Sequence, residues 1–401
     1  MSSAPRSTDP GRRVLLVAGE ASGDMHAANL ARELRLLDPA VEIRGMGGDA
    51  QRAAGVEIVV DNRDLAVVGL IEVLRHYPRI RRVLRSLEHY LERERPDLLV
   101  LVDYVEFNLK LALTAKRLGV PVLFYVSPQV WAWREHRVKR IGQRIDMMAV
   151  IFPFEVAFYE RHGIPVRYVG NPLVGHVKPT RARADCFRDF DLDPAHPVIG
   201  LLPGSRRSEV SRLLPLFAAT ALRLHALRPH LQFVLPVAPG LDRAWVASLL
   251  PPEPRISLAH GASYDAMQLC DVILTASGTA TLETALMNVP MVLAYKVAPL
   301  SYAILSRLVK VPDIGLVNIV AGRRIVPEFV QHAATPEAIA PELLRLLEDT
   351  EYRAALQAGL NEVRDKLGDD RASRRVAALA LEMLRHGAHA ADSVSTPVSD
   401  A

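Results

Sequence analysis

The feature that most constrains this chain is a recurring short run of mostly apolar residues, each followed by a segment of helical spacing. Val14–Ala18, Leu98–Val102, Val122–Val126, Met147–Ile151 and Arg167–Val169 form one such series. Val198–Leu202, Phe233–Val237, Ile256–Leu258, Val272–Thr275 and Met291–Tyr295 form a second. Runs this short and this apolar read as parallel strands buried on both faces, with the intervening helices as crossovers. Between the two series, residues 178–197 (KPTRARADCFRDFDLDPAHP) are polar, charged and proline-bearing, as a linker should be. The expected architecture is α/β: two doubly wound domains over residues 12–177 and 198–360, then C-terminal helices over 361–386. Residues 1–11 and 387–401 are small, polar and aperiodic and read as disordered tails.

At 401 residues the chain is too long for one ordinary core, which agrees with two domains. A net charge of +4 is too small to suggest a nucleic-acid partner. Two cysteines, Cys186 and Cys270, cannot build a disulfide framework, and no metal-binding signature such as His-Glu-x-x-His occurs. No metal or other cofactor is expected. No stretch reads as a membrane span, and Glu20 and Asp24 cut the first apolar run short of a signal peptide, so a cytoplasmic chain is expected.

Ligands of open α/β sheets bind beyond the carboxyl ends of the strands, so the loops that follow the strands are the candidates for chemistry. Gly19-Glu20-Ala21-Ser22-Gly23-Asp24 lacks the dinucleotide spacing, and its acids would repel a diphosphate. It suits either a hydroxyl-rich group or a helix start capped by Ser22 or Asp24. Asp103 directly follows the strand Leu98–Val102, where a general base for a hydroxyl nucleophile could stand, while Asp103 or Glu106 could equally cap a helix beginning near Asn108. Residues 125–134 (YVSPQVWAWR) carry two of the three tryptophans, as a sugar- or acyl-facing surface or as core packing.

In the second series, Pro203–Val210 places Arg206 beside a helix start, an anion site in form. Ser277-Gly278-Thr279 lets backbone approach a phosphate, and Glu283 one turn later could accept ribose hydroxyls. Residues 311–318, with Asn318, and 327–331, with Gln331, are expected near the same ligand. Capping is the ordinary role of any one such loop. Their number is what argues for a nucleotide-like ligand.

Taken in order, VAGEASGD (17–24), AVVGLIEVL (66–74), VDYVEFN (102–108), YVSPQVWAWR (125–134), FPFE (152–155), LLPGSRRSEV (201–210), ASGTATLE (276–283), LVNIVAG (316–322) and PEFVQ (327–331) resemble the lipid-A-disaccharide synthase family. The resemblance implies two Rossmann-like domains of glycosyltransferase B-type, with a sugar nucleotide held between them and hinge closure near 178–197. It implies UDP-2,3-diacylglucosamine as donor, 2,3-diacylglucosamine 1-phosphate as acceptor, an inverting β(1→6) transfer and no metal. Catalytic roles would fall on Asp103 and Glu20. UDP or substrate contacts would fall on Ser22, Arg206, Ser277, Gly278, Thr279, Glu283, Asn318 and Gln331. Where some members carry a second aspartate, this chain has Glu106. The competing readings are an isomerase like UDP-N-acetylglucosamine 2-epimerase and a non-catalytic nucleotide-sugar-binding protein.

Residues 66–74 are apolar with little room for a polar face, and seven arginines against Glu88, Glu92 and Glu94 follow within 75–95. Val67, Val68, Leu70, Ile71 and Leu74 are therefore expected to face an anionic membrane surface, peripherally and on the cytoplasmic side of the inner membrane, unless the segment is a packed core helix. A homodimer is a further expectation.

Overall fold

A computed structural model describes residues 12–65, 70–133, 135–298 and 313–386. Side chains are described over the same residues except 64, 65, 70–77 and 133. The chain divides into two compact units, residues 1–172 with 370–401, and residues 173–369.

The first unit is built on a seven-stranded sheet in the order β3-β2-β1-β4-β5-β6-β7. Its strands are β1 (Arg13–Ala18), β2 (Glu42–Gly47), β3 (Glu57–Asp61), β4 (Leu98–Val102), β5 (Val122–Tyr125), β6 (Met147–Val150) and β7 (Val166–Tyr168). All neighbours run parallel. Every residue of β4 is buried, as a central strand covered on both faces must be. One face packs on the Ala21–Leu37 helix. The other packs on the Leu70–Glu94 and Val105–Arg117 helices, through Val83, Leu87, Leu91, Phe107 and Leu111.

The second unit repeats the plan with six parallel strands in the order β10-β9-β8-β11-β12-β13. These are β8 (Val198–Leu202), β9 (Gln232–Val237), β10 (Ile256–His260), β11 (Val272–Thr275), β12 (Met291–Tyr295) and β13 (Glu328–Val330). In each unit the chain winds outward from its first strand in one direction and then the other. The order therefore reverses between β1 and β4, and again between β8 and β11, and the crevice at such a reversal is where open sheets bind ligands.

Three expectations change. The units part at Pro172–Leu173, and residues 178–197 belong to the second unit: the Thr180 amide and hydroxyl donate to Asp265 at 2.6 and 2.9 Å, and Arg183–Asp189 is helical. The C-terminal helices do not form one body either. Pro336–Glu348 and Thr350–Leu367 stay with the second unit, whereas Ala372–His386 returns to the first. There Val376, Ala377 and Ala380 meet Ala27, Ala28 and Ala31, and the small side chains allow close approach of the two helices. Arg167 fastens the same helix through Glu382 at 2.7 Å. Finally, β2, β3 and β13 are strands that the apolar runs do not reveal.

The Arg207–Leu227 helix is the one described helix long and apolar enough to cross a membrane. It is a core helix by its packing, with Leu213, Leu214, Phe217, Ala221 and Leu224 buried. Cys186 and Cys270 are buried and free.

Candidate active site at two strand-order reversals

In the first unit, β1 and β4 deliver Glu20 and Asp103 to the same sheet edge, where Ala18 and Val102 are register partners. Asp103 and Tyr104 both have left-handed backbone, with φ of +49° and +43°. A non-glycine residue rarely adopts that conformation, and two in succession persist only where the surroundings hold them. Asn108 does the holding: it is fully buried, and its amide nitrogen donates to the carbonyls of Val102 and Asp103 at 3.2 and 2.7 Å. The Asp103 carboxylate is half-buried. Burial first, and the charge of Glu20 second, raise the Asp103 carboxyl above its ordinary range.

Glu20 is exposed and occupies the cap position of the Ala21–Leu37 helix with no side-chain capping bond. The helix starts at Ala21, so Ser22 lies exposed in its first turn, and neither Ser22 nor Asp24 is the cap. Asp24 is buried and serves a different turn, accepting from the amides of Gly48 and Ala50 at 2.7 and 3.0 Å. Gly19 is where the two loops touch. A Cβ there would collide with the Tyr104 ring, so only glycine lets that ring cover the Glu20 loop. Glu106 is exposed and ion-paired to Arg137, which makes it a surface tether for the helix start.

The loop after β5 is strained as well. Val126 sits at φ +68°, a true outlier for a β-branched residue. Beyond it Ser127 shares a hydrogen bond of 2.8 Å with Tyr159, and Trp131 donates from Nε1 to Glu155 at 3.1 Å. Glu155 is buried, accepts from the Phe152 amide at 3.1 Å, and burial pushes its carboxyl up to about 7. The Trp131 ring packs edge-on against Phe154 at 4.8 Å. Trp131 is thus part core and part surface; the side chain of Trp133, and Arg134 altogether, lie outside the described residues.

In the second unit, the loops after β8 and β11 are neighbours, joined by the Ala276 amide on the Leu202 carbonyl at 2.8 Å. Arg206 caps the Arg207–Leu227 helix with its side chain 72% exposed and able to reach a ligand. Glu209 is a partner the sequence does not reveal. Its carboxylate accepts the amides of Ser205 and Arg206 at 3.2 and 3.3 Å, filling the donors an anion would use. Gly204, at φ +121°, is glycine because a Cβ would lie 2.7 Å from that carboxylate. Ser277 donates its hydroxyl to the Ile314 carbonyl at 2.8 Å, so it ties down the 313–315 segment. Gly278 and exposed Thr279 follow it, and no described atom stands within 4 Å of where a Gly278 Cβ would lie. Glu283 accepts from the Tyr264 hydroxyl at 2.9 Å, and burial raises its carboxyl.

Asn318 and Gln331 are both bonded within the protein. Asn318 is buried, with its oxygen on the amides of Ile325 and Val326 and its nitrogen on Val326 and Glu328, so its bonding capacity is spent within the protein. Gln331, at φ +53°, pairs its amide with both backbone groups of Val297 at 2.9 and 3.2 Å. Both are braces in this structure. Glu328 is a second partner hidden from the sequence: it accepts from the amides of Ile314 and Gly315, each at 2.9 Å. Residues 66–69 and the side chains of 70–77 lie outside the described residues, and with them Val67, Val68, Leu70, Ile71 and Leu74.

Two parallel sheets, each with its helices and the same strand-order reversal, give the chain the B-type glycosyltransferase architecture. Solved structures share it at low identity. The UDP-GlcNAc 2-epimerase of Neisseria meningitidis bound to UDP-GlcNAc superposes with a TM-score of 0.65 at 16% identity, over 92% of this chain and 100% of that one. MurG of Acinetobacter baumannii gives 0.54 at 15%, over 93% and 100%. The chain belongs to the lipid-A-disaccharide synthetase family, whose model matches residues 14–382. It is 50% identical over 378 residues to the lipid-A-disaccharide synthase of Geobacter metallireducens, covering 94% of this chain and 98% of that protein. The synthase of Nitrosococcus oceani is 48% identical over 372 residues, 92% and 96% of the two chains.

Proposed function

We propose that this glycosyltransferase moves 2,3-diacylglucosamine from UDP-2,3-diacylglucosamine to O6 of 2,3-diacylglucosamine 1-phosphate, giving a β(1→6) disaccharide 1-phosphate and UDP. The observation that carries the reading is Asp103, a half-buried carboxylate in a strained turn at a strand-order reversal, in a chain of this family. The O6–C1 bond forms as the bond from C1 to the diphosphate oxygen breaks. Asp103 takes the O6 proton, and its raised carboxyl is the stronger base for it. Glu20 accepts from sugar hydroxyls and keeps Asp103 basic. Arg206 and the backbone at Ser277–Thr279 meet the charge that develops on the departing UDP, and Glu283 meets the nucleoside. Asn318 and Gln331 serve by holding the loops around that ligand.

Purified protein given both diacylated substrates should release one UDP per disaccharide formed, and should do so in EDTA. UDP release that needs added magnesium refutes the metal-free account. Conversion of UDP-N-acetylglucosamine to its 2-epimer, with no transfer, would overturn the transferase reading.

The diacylated substrates also support peripheral attachment to the cytoplasmic face of the inner membrane through residues 66–74, beside the arginines of 75–95. Wild type should sediment with anionic vesicles and lose that binding in high salt. A Val68→Ser/Leu70→Ser/Ile71→Ser variant that keeps its circular dichroism should stay in the supernatant. Equal pelleting of both, or an unfolded variant, assigns the segment to the core.

A further inference from the structure

Glu155 has no place in the mechanism above, although it is ionisable, 1% exposed and bonded to two loops of the first unit. Its two oxygens divide their work. One accepts from the Phe152 amide, which fixes the turn after β6; the other accepts from Trp131 Nε1, at the far end of the loop after β5. That loop begins at Val126, whose left-handed backbone must be held from outside. One residue earlier, the Tyr125 carbonyl accepts the Asp103 amide at 3.1 Å. A continuous set of bonds thus runs from the buried carboxylate through Trp131 and the loop to the backbone of Asp103. A second tie, Ser127 to Tyr159, fastens the loop's near end to the Phe154–Glu160 helix that also bears Glu155.

We propose that Glu155 is a positioning residue for the acceptor: through Trp131 it holds the loop 126–131 beside Asp103, and so sets where the acceptor sugar lies relative to the base. The proposal rests on the transferase reading above. Trp131 is the agent of contact, since it is only part-buried while its N–H is spent on Glu155 and its ring meets Phe154 near-perpendicularly at 4.8 Å. An indole fixed at both ends is a rigid platform for the apolar face of a sugar or the start of an acyl chain. Released from Glu155, the ring keeps its packing and loses its orientation.

Trp131→Phe, Glu155→Gln and the double variant test this by steady-state kinetics in both substrates, with UDP binding measured separately. Trp131→Phe removes the N–H and keeps an aromatic ring on Phe154. Glu155→Gln turns one acceptor into a donor that faces an N–H. Each should raise the acceptor KM about 5- to 20-fold, the scale of one buried hydrogen bond, and leave UDP affinity within about twofold. Because both loosen the one chain of bonds that runs from the Phe152 turn through Glu155 to the indole, the double variant should be no worse than the poorer single one. A merely structural role would lower the active fraction and the melting temperature and leave the acceptor KM where it was. Active wild type with an unchanged acceptor KM in Trp131→Phe overturns the proposal, even if Glu155→Gln does not fold. Multiplying effects in the double variant overturn it too. Inactive wild type would instead overturn the transferase reading.

Discussion

Asp103→Asn should leave the protein folded and able to bind UDP while turnover falls at least about 100-fold, the lower range for loss of a general base. Asparagine preserves the shape of the side chain and tolerates the left-handed backbone that Asp103 adopts at φ +49°. The amide cannot take the proton, so the loss reports chemistry and not folding. The same assignment fixes a pH dependence. A base works ionised, so kcat/KM should rise with pH through the Asp103 pKa, and burial with the Glu20 charge places that limb above the ordinary carboxylate range. Glu20→Gln removes the second cause and should move the acid limb to lower pH, with activity in acid less impaired than at neutral pH. Near-normal turnover in Asp103→Asn, or an acid limb that Glu20→Gln leaves in place, contradicts the role.

Asp103 can be read from the sequence because the strand before it can. Leu98–Val102 is apolar at every position, and a carboxylate directly after such a run can only stand at the sheet edge. The strands that stay hidden lack that signature: β2 reads Glu-Ile-Arg-Gly-Met-Gly, and β13 is three residues long with a glutamate at its head. Site residues divide in a similar way. A residue that acts by its place in the chain, such as Arg206 at a helix start, shows itself by its neighbours. A side-chain amide gives no sign of whether its partners will be a ligand or its own backbone. Asn318 and Gln331 therefore give no sign in the sequence of the bonds they make to Ile325 and Val297 in the fold. The carboxylates that do much of the bracing, Glu155, Glu209 and Glu328, are hidden for the converse reason, since each is defined by amides that fold around it. The domain boundary lies elsewhere than expected because polarity is not exposure: residues 178–197 read as a linker, yet Asp265 gathers their Thr180 into the second unit.

Arg206→Ala should weaken UDP binding by about 1.5–3 kcal/mol, roughly 10- to 150-fold, if the guanidinium bonds to the diphosphate. The loop explains why the arginine must carry so much of this. In an uncapped helix start the amides of Ser205 and Arg206 would share the phosphate charge, but Glu209 has taken both. Its carboxylate also stands 3.5 Å from the guanidinium and repels any incoming anion, so the measured loss should fall toward the lower end of the range. Arg206→Lys separates charge from geometry. Lysine keeps the positive charge but not the planar fork, and should restore only part of the affinity. Because the side chain is exposed, the contact is screened, and the gap between wild type and Arg206→Ala should narrow as salt is raised. Titration calorimetry with UDP at two ionic strengths decides the matter. Equal affinities for wild type and Arg206→Ala would make Arg206 an ordinary surface arginine and leave the diphosphate to the loop at Ser277–Thr279.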